Sequence, residues 1–350
     1  MPELKRCTKC VMPSTWEGIT FDENGACSLC RAFEEQERFD WVARKKELSE
    51  ILEDAKVQAD KDGRKYSVIC GYSGGKDSAF TIAYLVKEFG VKVLAFTYDH
   101  GHPLVPEGEW NLNEFPKMLG IDHLRFTLGN ELRNAICRMG IEQIQDWCLP
   151  CHRGVGAGIV NIAKALGIKL AVFGEPTALY STTGTYKLSD KEENDRQHFE
   201  DAFCGKLNAI PNGFTKEDIW MLNWPDGQVD LRSIYLGTFI PWRQTENVEY
   251  IKKLGWKCPP TIPDNCWPWN KLDCAFEIHR NWSKILKGLR FDSISFRASI
   301  DIREGRLSRD QAMELIRKYE GRRPDNMGAF CADIGMTENE FNKMMSSREI

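Results

Sequence analysis

A short glycine-rich segment between a strand pattern and a helix pattern constrains the fold of this chain most. Residues 66–70, Tyr-Ser-Val-Ile-Cys, predict a buried strand, and residues 79–88 have the pattern of a helix. Between them stand residues 71–78, Gly-Tyr-Ser-Gly-Gly-Lys-Asp-Ser. Glycines let backbone N–H groups approach an anion, and the start of a helix adds positive potential. The segment therefore predicts a phosphate-binding loop at the carboxyl end of a strand.

Apolar strand patterns and helix patterns continue to alternate after this loop. The predicted strands are 91–97, 123–127 and 169–173, and the predicted helices are 109–119, 131–139 and 153–166. Such alternation predicts an α/β fold with a doubly wound parallel sheet, in which ligands bind at the carboxyl ends of the strands. Ser73, Asp99 and the pair Gly174-Glu175 follow strand ends. We expect them to face one crevice.

Four of the 13 cysteines form two pairs near the start of the chain. Two residues separate Cys7 from Cys10 and Cys27 from Cys30, and 16 residues separate the pairs. This spacing is typical of a closed, structural zinc site with four thiolate ligands. It predicts an N-terminal zinc ribbon.

A third pair, Cys148-Leu-Pro-Cys151, has no equally spaced partner pair. It is consistent with two packed cysteines at the start of a helix or with a second metal or redox site. The sequence does not choose between these interpretations. The other thiols that could join the pair are Cys258, Cys266, Cys274 and Cys331.

The loop sequence Ser-Gly-Gly-Lys-Asp-Ser resembles the PP-loop of ATP pyrophosphatases, which have the adenine nucleotide alpha hydrolase-like fold and form AMP and pyrophosphate while adenylating a substrate. The resemblance implies catalytic roles for Lys76 and Asp77, with Asp77 as a Mg²⁺ ligand. It also implies a nucleotide site that includes Asp99. The implied nucleotide-binding residues are Ser73, Gly74, Gly75, Lys76, Asp77, Ser78, Asp99, Gly174 and Glu175.

Segments at both ends resemble a narrower family. Cys7-Thr-Lys-Cys10-Val-Met-Pro13, residues 18–22 and residues 25–27 precede the loop, and residues 302–312 read Ile-Arg-Glu-Gly-Arg-Leu-Ser-Arg-Asp-Gln-Ala. Together they resemble the N-acetyl sugar amidotransferase family, which includes the WbpG and PseA proteins of lipopolysaccharide and nonulosonic acid biosynthesis.

That resemblance implies ATP-dependent conversion of a sugar acetamido group to an acetamidino group through an O-adenylated imidate and ammonia. It implies ATP, Mg²⁺ and Zn²⁺ as cofactors and a nucleotide sugar or nonulosonic acid as the substrate. It also implies a separate glutaminase partner related to the HisH and HisF pair.

Two alternatives remain open. A tRNA-thiolating PP-loop enzyme also adenylates a carbonyl oxygen, and Cys148 with Cys151 would suit its iron–sulfur cluster. The other alternative is a non-catalytic zinc-ribbon adaptor. A net charge of −4 argues against broad nucleic-acid binding. We expect a cytoplasmic protein with no membrane partner, because the chain has no apolar run of membrane-spanning length and no apolar leader.

The last third is predicted to be mostly helical and substrate-binding. Ser308 with Gln311, and Thr337 with Glu340, have the spacing of capping boxes. Three arginines spaced by three residues could pair with substrate phosphates or line a solvated helix face: Arg303, Arg306 and Arg309. The predicted organisation is a zinc ribbon over 1–35, a helical linker over 36–63, a PP-loop domain over 64–204 and a C-terminal region over 205–350.

Overall fold

The fold is taken from a computed structural model that describes residues 4–16, 18–36, 39–174, 210–261, 266–270 and 272–346. Its centre is one parallel sheet with the strand order β3-β2-β1-β4-β5. The strands are β1 (Val68–Gly71), β2 (Val93–Asp99), β3 (Asp122–Thr127), β4 (Leu170–Phe173) and β5 (Arg232–Tyr235).

Helices surround this sheet and form most of the last third of the described chain. They are α1 (Ser28–Gln36), α2 (Trp41–Lys61), α3 (Lys76–Phe89), α4 (Pro106–Leu119), α5 (Asn130–Ile144), α6 (Leu149–Leu166), α7 (Gln244–Lys253), α8 (Glu277–Leu286), α9 (Ser293–Arg303), α10 (Arg309–Tyr319), α11 (Met327–Asp333) and α12 (Glu338–Ser346). No helix among these described residues is both long and apolar enough to cross a bilayer.

Alternating side chains of the central strands enter two separate cores. In β1, Val68 and Cys70 pack with residues of α3, α4 and α7, whereas Ile69 packs with residues of α5 and α6. Successive strand residues point to opposite faces, so a strand buried on both faces must be apolar throughout. The doubly wound α/β fold predicted from the alternating pattern is confirmed.

The fifth strand extends the sheet beyond the predicted domain boundary. The boundary at 204 lies outside the described residues, but β5 comes later and pairs with β4 over Leu170–Phe173. Helix α7 then packs on the same core as α3. The first part of the predicted 205–350 region thus contributes β5 to the sheet, and the buried Ser233–Tyr235 segment has β4 as its hydrogen-bonding neighbour.

The described residues of the N-terminal segment, 4–16 and 18–36, pack against the last third of the chain. Around the cysteine pairs the backbone forms two isolated antiparallel bridges, Arg6 with Pro13 and Phe21 with Cys27. The Trp16 ring stacks on Phe296 of α9 with centroids 5.0 Å apart. The Arg6 guanidinium donates to Ser295 Oγ at 2.7 Å and to Glu320 Oε2 at 2.8 Å. The N-terminal segment therefore rests on α9.

Candidate active site and metal centre

The glycine-rich loop joins the carboxyl end of β1 to the first turn of α3. Ser73 and Ser78 fix its shape, because the Ser73 backbone N–H donates to Ser78 Oγ at 3.1 Å and the Gly75 N–H donates to Ser73 Oγ at 3.3 Å. Gly75 precedes α3 and offers no side-chain cap to its first turn. Uncapped N–H groups at a helix start are available to an anion.

Close backbone approach makes Gly74 necessary for this shape. Its φ is +80°, and a Cβ there would lie 2.9 Å from the Gly108 carbonyl oxygen. The buried Trp256 donates its indole N–H to the Gly74 carbonyl at 2.9 Å. Trp256 therefore holds the loop in place.

We expect Gly74→Ala to destabilise the chain more than Gly90→Ala. Both positions have positive φ, which costs roughly 1–2 kcal/mol for a residue with a side chain. Nothing lies within 4 Å of a Cβ at Gly90. Gly74→Ala should therefore lose a further ~1–3 kcal/mol through overpacking. Denaturant unfolding of both variants measures the difference, and equal free energies of unfolding would contradict the close approach.

A cavity of about 230 Å³ opens over the loop. One wall is the predicted nucleotide loop, and the other comes from α8, α9 and the segment before them. The lining residues are Ser73, Gly75, Lys76, Asp77, Ser78, Asp273, Glu277, Ser293, Phe296 and Arg297. The last third of the chain thus covers the loop, as a substrate-binding region would.

Lys76 and Asp77 form the charged centre of this cavity. The buried Lys76 ammonium contacts Asp77 Oδ2, and Asp77 Oδ1 is buried without a hydrogen-bond partner among the described residues. Asp273 and Glu277 add two more carboxylates to the lining. Hard oxygen ligands and an unsatisfied carboxylate oxygen fit Mg²⁺. The donor set therefore agrees with the predicted metal role of Asp77.

Asp99 and Gly174 lie at strand ends as expected but do not line the cavity. Asp99 accepts from the Gly101 N–H at 2.8 Å and from Arg125 Nε at 2.7 Å. Burial raises the pKa of Asp99, but these partners lower it more, so the pKa lies below its usual value. A Cβ at Gly174 would lie 2.7 Å from Thr81 Oγ1 on α3. Glu175, the last predicted nucleotide residue, lies outside the described residues.

The four N-terminal cysteines converge on one point. All are buried, and their sulfur atoms lie within 4.8 Å of one another. The Cys7 and Cys30 sulfurs are 3.9 Å apart, and those of Cys10 and Cys27 are 3.7 Å apart. Zn–S bonds of about 2.3 Å in a tetrahedron place sulfurs about 3.8 Å apart. The cluster can therefore bind a metal ion, and its dimensions fit zinc.

The protonation of the cluster also favours a cation. Hydrogen bonding from Cys27 is the main cause that lowers the pKa of Cys10 to about 6. Contact with Cys10 raises the pKa of Cys27 and of Cys30. Hydrogen bonds from the other three thiols lower the pKa of Cys7 as well, so two thiols ionise easily and two resist ionisation, and a divalent cation would favour the thiolate form of all four.

The three arginines of the C-terminal signature serve the ribbon and α9. Arg303 Nη1 lies 3.9 Å from Cys10 Sγ, and Arg309 Nε donates to the Cys10 carbonyl at 3.3 Å. Arg306 pairs with Asp301. Arg303 and Arg309 therefore contact the ribbon, while Arg309 remains exposed at the start of α10.

Cys148 and Cys151 lie at the start of α6, near the end of β2. The Cys151 sulfur lies within 4.8 Å of ring nitrogens of His100 and His102. His100 has both ring nitrogens in hydrogen bonds, with the Asp273 carbonyl at 2.7 Å and the His102 N–H at 3.0 Å. His102 Nδ1 pairs with Asp333 Oδ2 at 2.6 Å, and burial lowers the pKa of His102 to about 4.

The structure also selects Cys274 as the third thiol near the pair. Packing around their sulfurs raises the pKa of Cys148 and of Cys151 well above the usual value, although each residue keeps some exposed surface. Cys274 adds to both shifts through its charge and packs on the same apolar cluster as Cys148. Cys331 is buried in the same cluster but adds nothing to these shifts, whereas Cys258 and Cys266 pack in other cores.

Sequence reasoning missed the cavity residues of the last third, Asp273, Glu277, Ser293, Phe296 and Arg297. They are about two hundred positions from the loop, and no local spacing connects them. The one available signal was that a substrate-binding role was expected of this region as a whole.

The parallel sheet carries a Ser-Gly-Gly-Lys-Asp-Ser loop between its central strand and the next helix, beside a charged cavity. This is the arrangement expected from the resemblance to PP-loop proteins. Residues 281–349 match the family model of the C-terminal domain of LPS biosynthesis protein WbpG-like proteins. The resemblance to WbpG proteins is confirmed in this segment, which includes α9.

Three further comparisons describe what the chain is similar to. An uncharacterized protein of Methanocaldococcus jannaschii, MJ1599, is 26% identical over 170 residues, which are 48% of this chain and 58% of the relative. The structure of NMN synthetase from Francisella tularensis overlaps with a TM-score of 0.40 at 15% identity, covering 81% of this chain and 94% of the other. The U34-tRNA thiolase NcsA from Methanococcus maripaludis, with its [4Fe-4S] cluster, overlaps with a TM-score of 0.34 at 15% identity, covering 93% and 91%.

Proposed function

We propose that this chain is an ATP-dependent N-acetyl sugar amidotransferase that forms AMP and pyrophosphate. One observation carries the proposal: Phe296 and Arg297, which belong to the WbpG-like segment, line the same cavity as Lys76 and Asp77 of the loop. This shared cavity supports a reaction in which the loop activates ATP and the WbpG-like segment helps to bind the acceptor sugar.

The proposed chemistry has two steps. The acetamido oxygen attacks the α-phosphorus of ATP, pyrophosphate leaves, and the amide loses a proton to give an O-adenylated imidate. Ammonia then adds to the imidate carbon, AMP leaves, and an acetamidino group remains. Activation is needed because an amide carbonyl is a poor electrophile, and AMP is a good leaving group.

The residues of the cavity have separate tasks in this scheme. Lys76 and the N–H groups at the start of α3 stabilise the charge that develops on pyrophosphate. Asp77, with Asp273 and Glu277 nearby, would hold Mg²⁺, which supplies charge neutralisation at the phosphates. The α8 and α9 wall excludes water, which would otherwise hydrolyse the imidate.

The test is a reaction of the full chain with ATP, Mg²⁺, ammonium and a panel of acetamido nucleotide sugars and nonulosonic acids. We expect AMP and a product lighter by the mass difference between O and NH. AMP that forms only with tRNA would contradict the sugar assignment. A chain that forms no AMP with any acceptor would favour the zinc-ribbon adaptor.

Ammonia is proposed to come from a separate glutaminase of the HisH and HisF type. No candidate glutaminase nucleophile was found in the sequence. We expect ammonium to support the reaction and glutamine alone to fail. Product formation from glutamine by the isolated chain would contradict the separate partner.

One observation favours a second candidate, tRNA thiolation. The charges of Cys148 and Cys274 act on Cys151, so the three thiols share one neighbourhood, although among the described residues their sulfurs do not form a cluster within 4.8 Å as the ribbon sulfurs do. Iron and zinc counts on anaerobically purified protein separate the candidates. Zinc at one equivalent without iron supports the ribbon site alone, and about four irons per chain with tRNA-dependent AMP formation would support thiolation.

A further inference from the structure

Arg297 is a buried cation beside the loop cavity. It lies in the middle of α9, is 8% exposed and lines the cavity. A guanidinium keeps its charge when buried, and burying a charge is costly unless it is paired. Its environment is therefore informative about what the cavity binds.

Within the described part of the chain, this charge has no anionic partner. Arg297 Nη1 donates to Gln244 Oε1 at 2.6 Å, and Gln244 is neutral. Among the described residues, no carboxylate forms an ion pair with Arg297, although Asp273 and Glu277 line the same cavity. Lys76, the other cation of the lining, already contacts Asp77.

We infer that Arg297 binds the acidic group of the acceptor substrate, a carboxylate or a phosphate, and so selects acidic acetamido sugars over neutral ones. This inference rests on the proposed function, because it names the substrate class of the same cavity. A guanidinium matches a planar or tetrahedral oxyanion with two parallel hydrogen bonds. Gln244 acts as a positioning residue, since its amide oxygen fixes one edge of the guanidinium.

The position of Arg297 favours the acceptor over ATP. The phosphates of ATP have the loop N–H groups and Lys76, whereas Arg297 belongs to the WbpG-like segment on the opposite wall. Phe296 lines the cavity next to it. Its ring is stacked on Trp16, so it fixes this wall of the cavity beside the guanidinium.

The experiment measures binding separately from turnover. Calorimetry on the full chain compares ATP, UDP-N-acetylglucosamine, N-acetylneuraminic acid and neutral N-acetylglucosamine, for the wild type, Arg297→Gln and Arg297→Lys. We expect the acidic sugar that the wild type binds to lose about 10- to 100-fold in affinity in Arg297→Gln. Arg297→Lys should recover part of this loss, and ATP affinity should change by less than about threefold.

Arg317→Gln is the matched control, because Arg317 is an exposed arginine of α10 in the same C-terminal segment. A thermal melt of each variant separates a folding defect from a binding defect. An equal loss of ATP affinity would assign Arg297 to the ATP phosphates and overturn the inference. So would a wild type that binds neither acidic sugar more tightly than N-acetylglucosamine.

The two proposals fail differently. If acidic sugars bind through Arg297 but no amidino product forms, the amidotransferase proposal fails and the binding inference stands. If product forms and Arg297→Gln has an unchanged KM for the acidic acceptor, the inference fails and the amidotransferase proposal stands.

Discussion

Replacing Asp77 by asparagine is expected to lower the rate of AMP formation by about a hundred- to a thousand-fold, the range for removing one preorganised group that stabilises developing charge. Asp77 Oδ1 is buried with no hydrogen-bond partner among the described residues, so it is available to a metal ion. Oδ2 contacts Lys76. Asparagine keeps the shape but removes the charge that both interactions need. Release of pyrophosphate under saturating ATP and acceptor measures the effect.

Asp122→Asn is the control for this substitution. Asp122 is an exposed carboxylate of the edge strand β3 that contacts Lys65 and Tyr66, far from the loop lining. We expect it to leave the rate within about twofold, as surface substitutions usually do little. If Asp77→Asn forms AMP at the same rate as Asp122→Asn, Asp77 has no catalytic role.

Replacing Cys27 by serine is expected to remove the ribbon metal and to lower the free energy of unfolding by more than about 4 kcal/mol, because loss of a metal site belongs to the largest class of mutational effects. Structural zinc contributes its binding free energy to folding. The ribbon sulfurs share an apolar cluster with Phe296, so the damage should reach α9. Zinc content and denaturant unfolding measure both effects.

Cys258→Ser is the matched thiol control. Cys258 lies outside the ribbon, and its sulfur donates to the Pro259 carbonyl at 3.2 Å, which a serine hydroxyl can replace. It should keep one zinc and nearly the wild-type stability. A Cys27→Ser chain that retains its metal would refute the four-thiolate assignment, and iron in place of zinc would refute the zinc assignment alone.

Local chemistry made the loop and the ribbon predictable. The loop needs glycine at Gly74, where φ is positive, and the ribbon needs thiols in two close pairs. Both requirements appear within a few neighbouring residues. The capping boxes of Ser308 and Thr337 were predictable for the same reason, and the structure has their reciprocal hydrogen bonds.

Contacts between elements that are far apart in the sequence were not predictable from it. The four residues of β5 begin with an exposed arginine and follow a stretch rich in turns, so no strand pattern was visible. Arg297 looks like an ordinary helix residue until α9 is placed over the loop. Its importance comes from burial and from the lack of an anionic partner among the residues that the structure describes, and both are properties of the folded chain.

The contact between the ribbon and α9 also has a consequence for how the protein is made. Arg6 and Ser295 touch although 289 positions separate them in the chain. At about 5–20 residues per second, a ribosome needs tens of seconds to synthesise the intervening segment. During that time the ribbon can bind its metal, but its apolar surface remains uncovered. Contacts of such high sequence separation also form slowly. The cavity wall at Phe296 is therefore completed late, after the nucleotide loop has been synthesised.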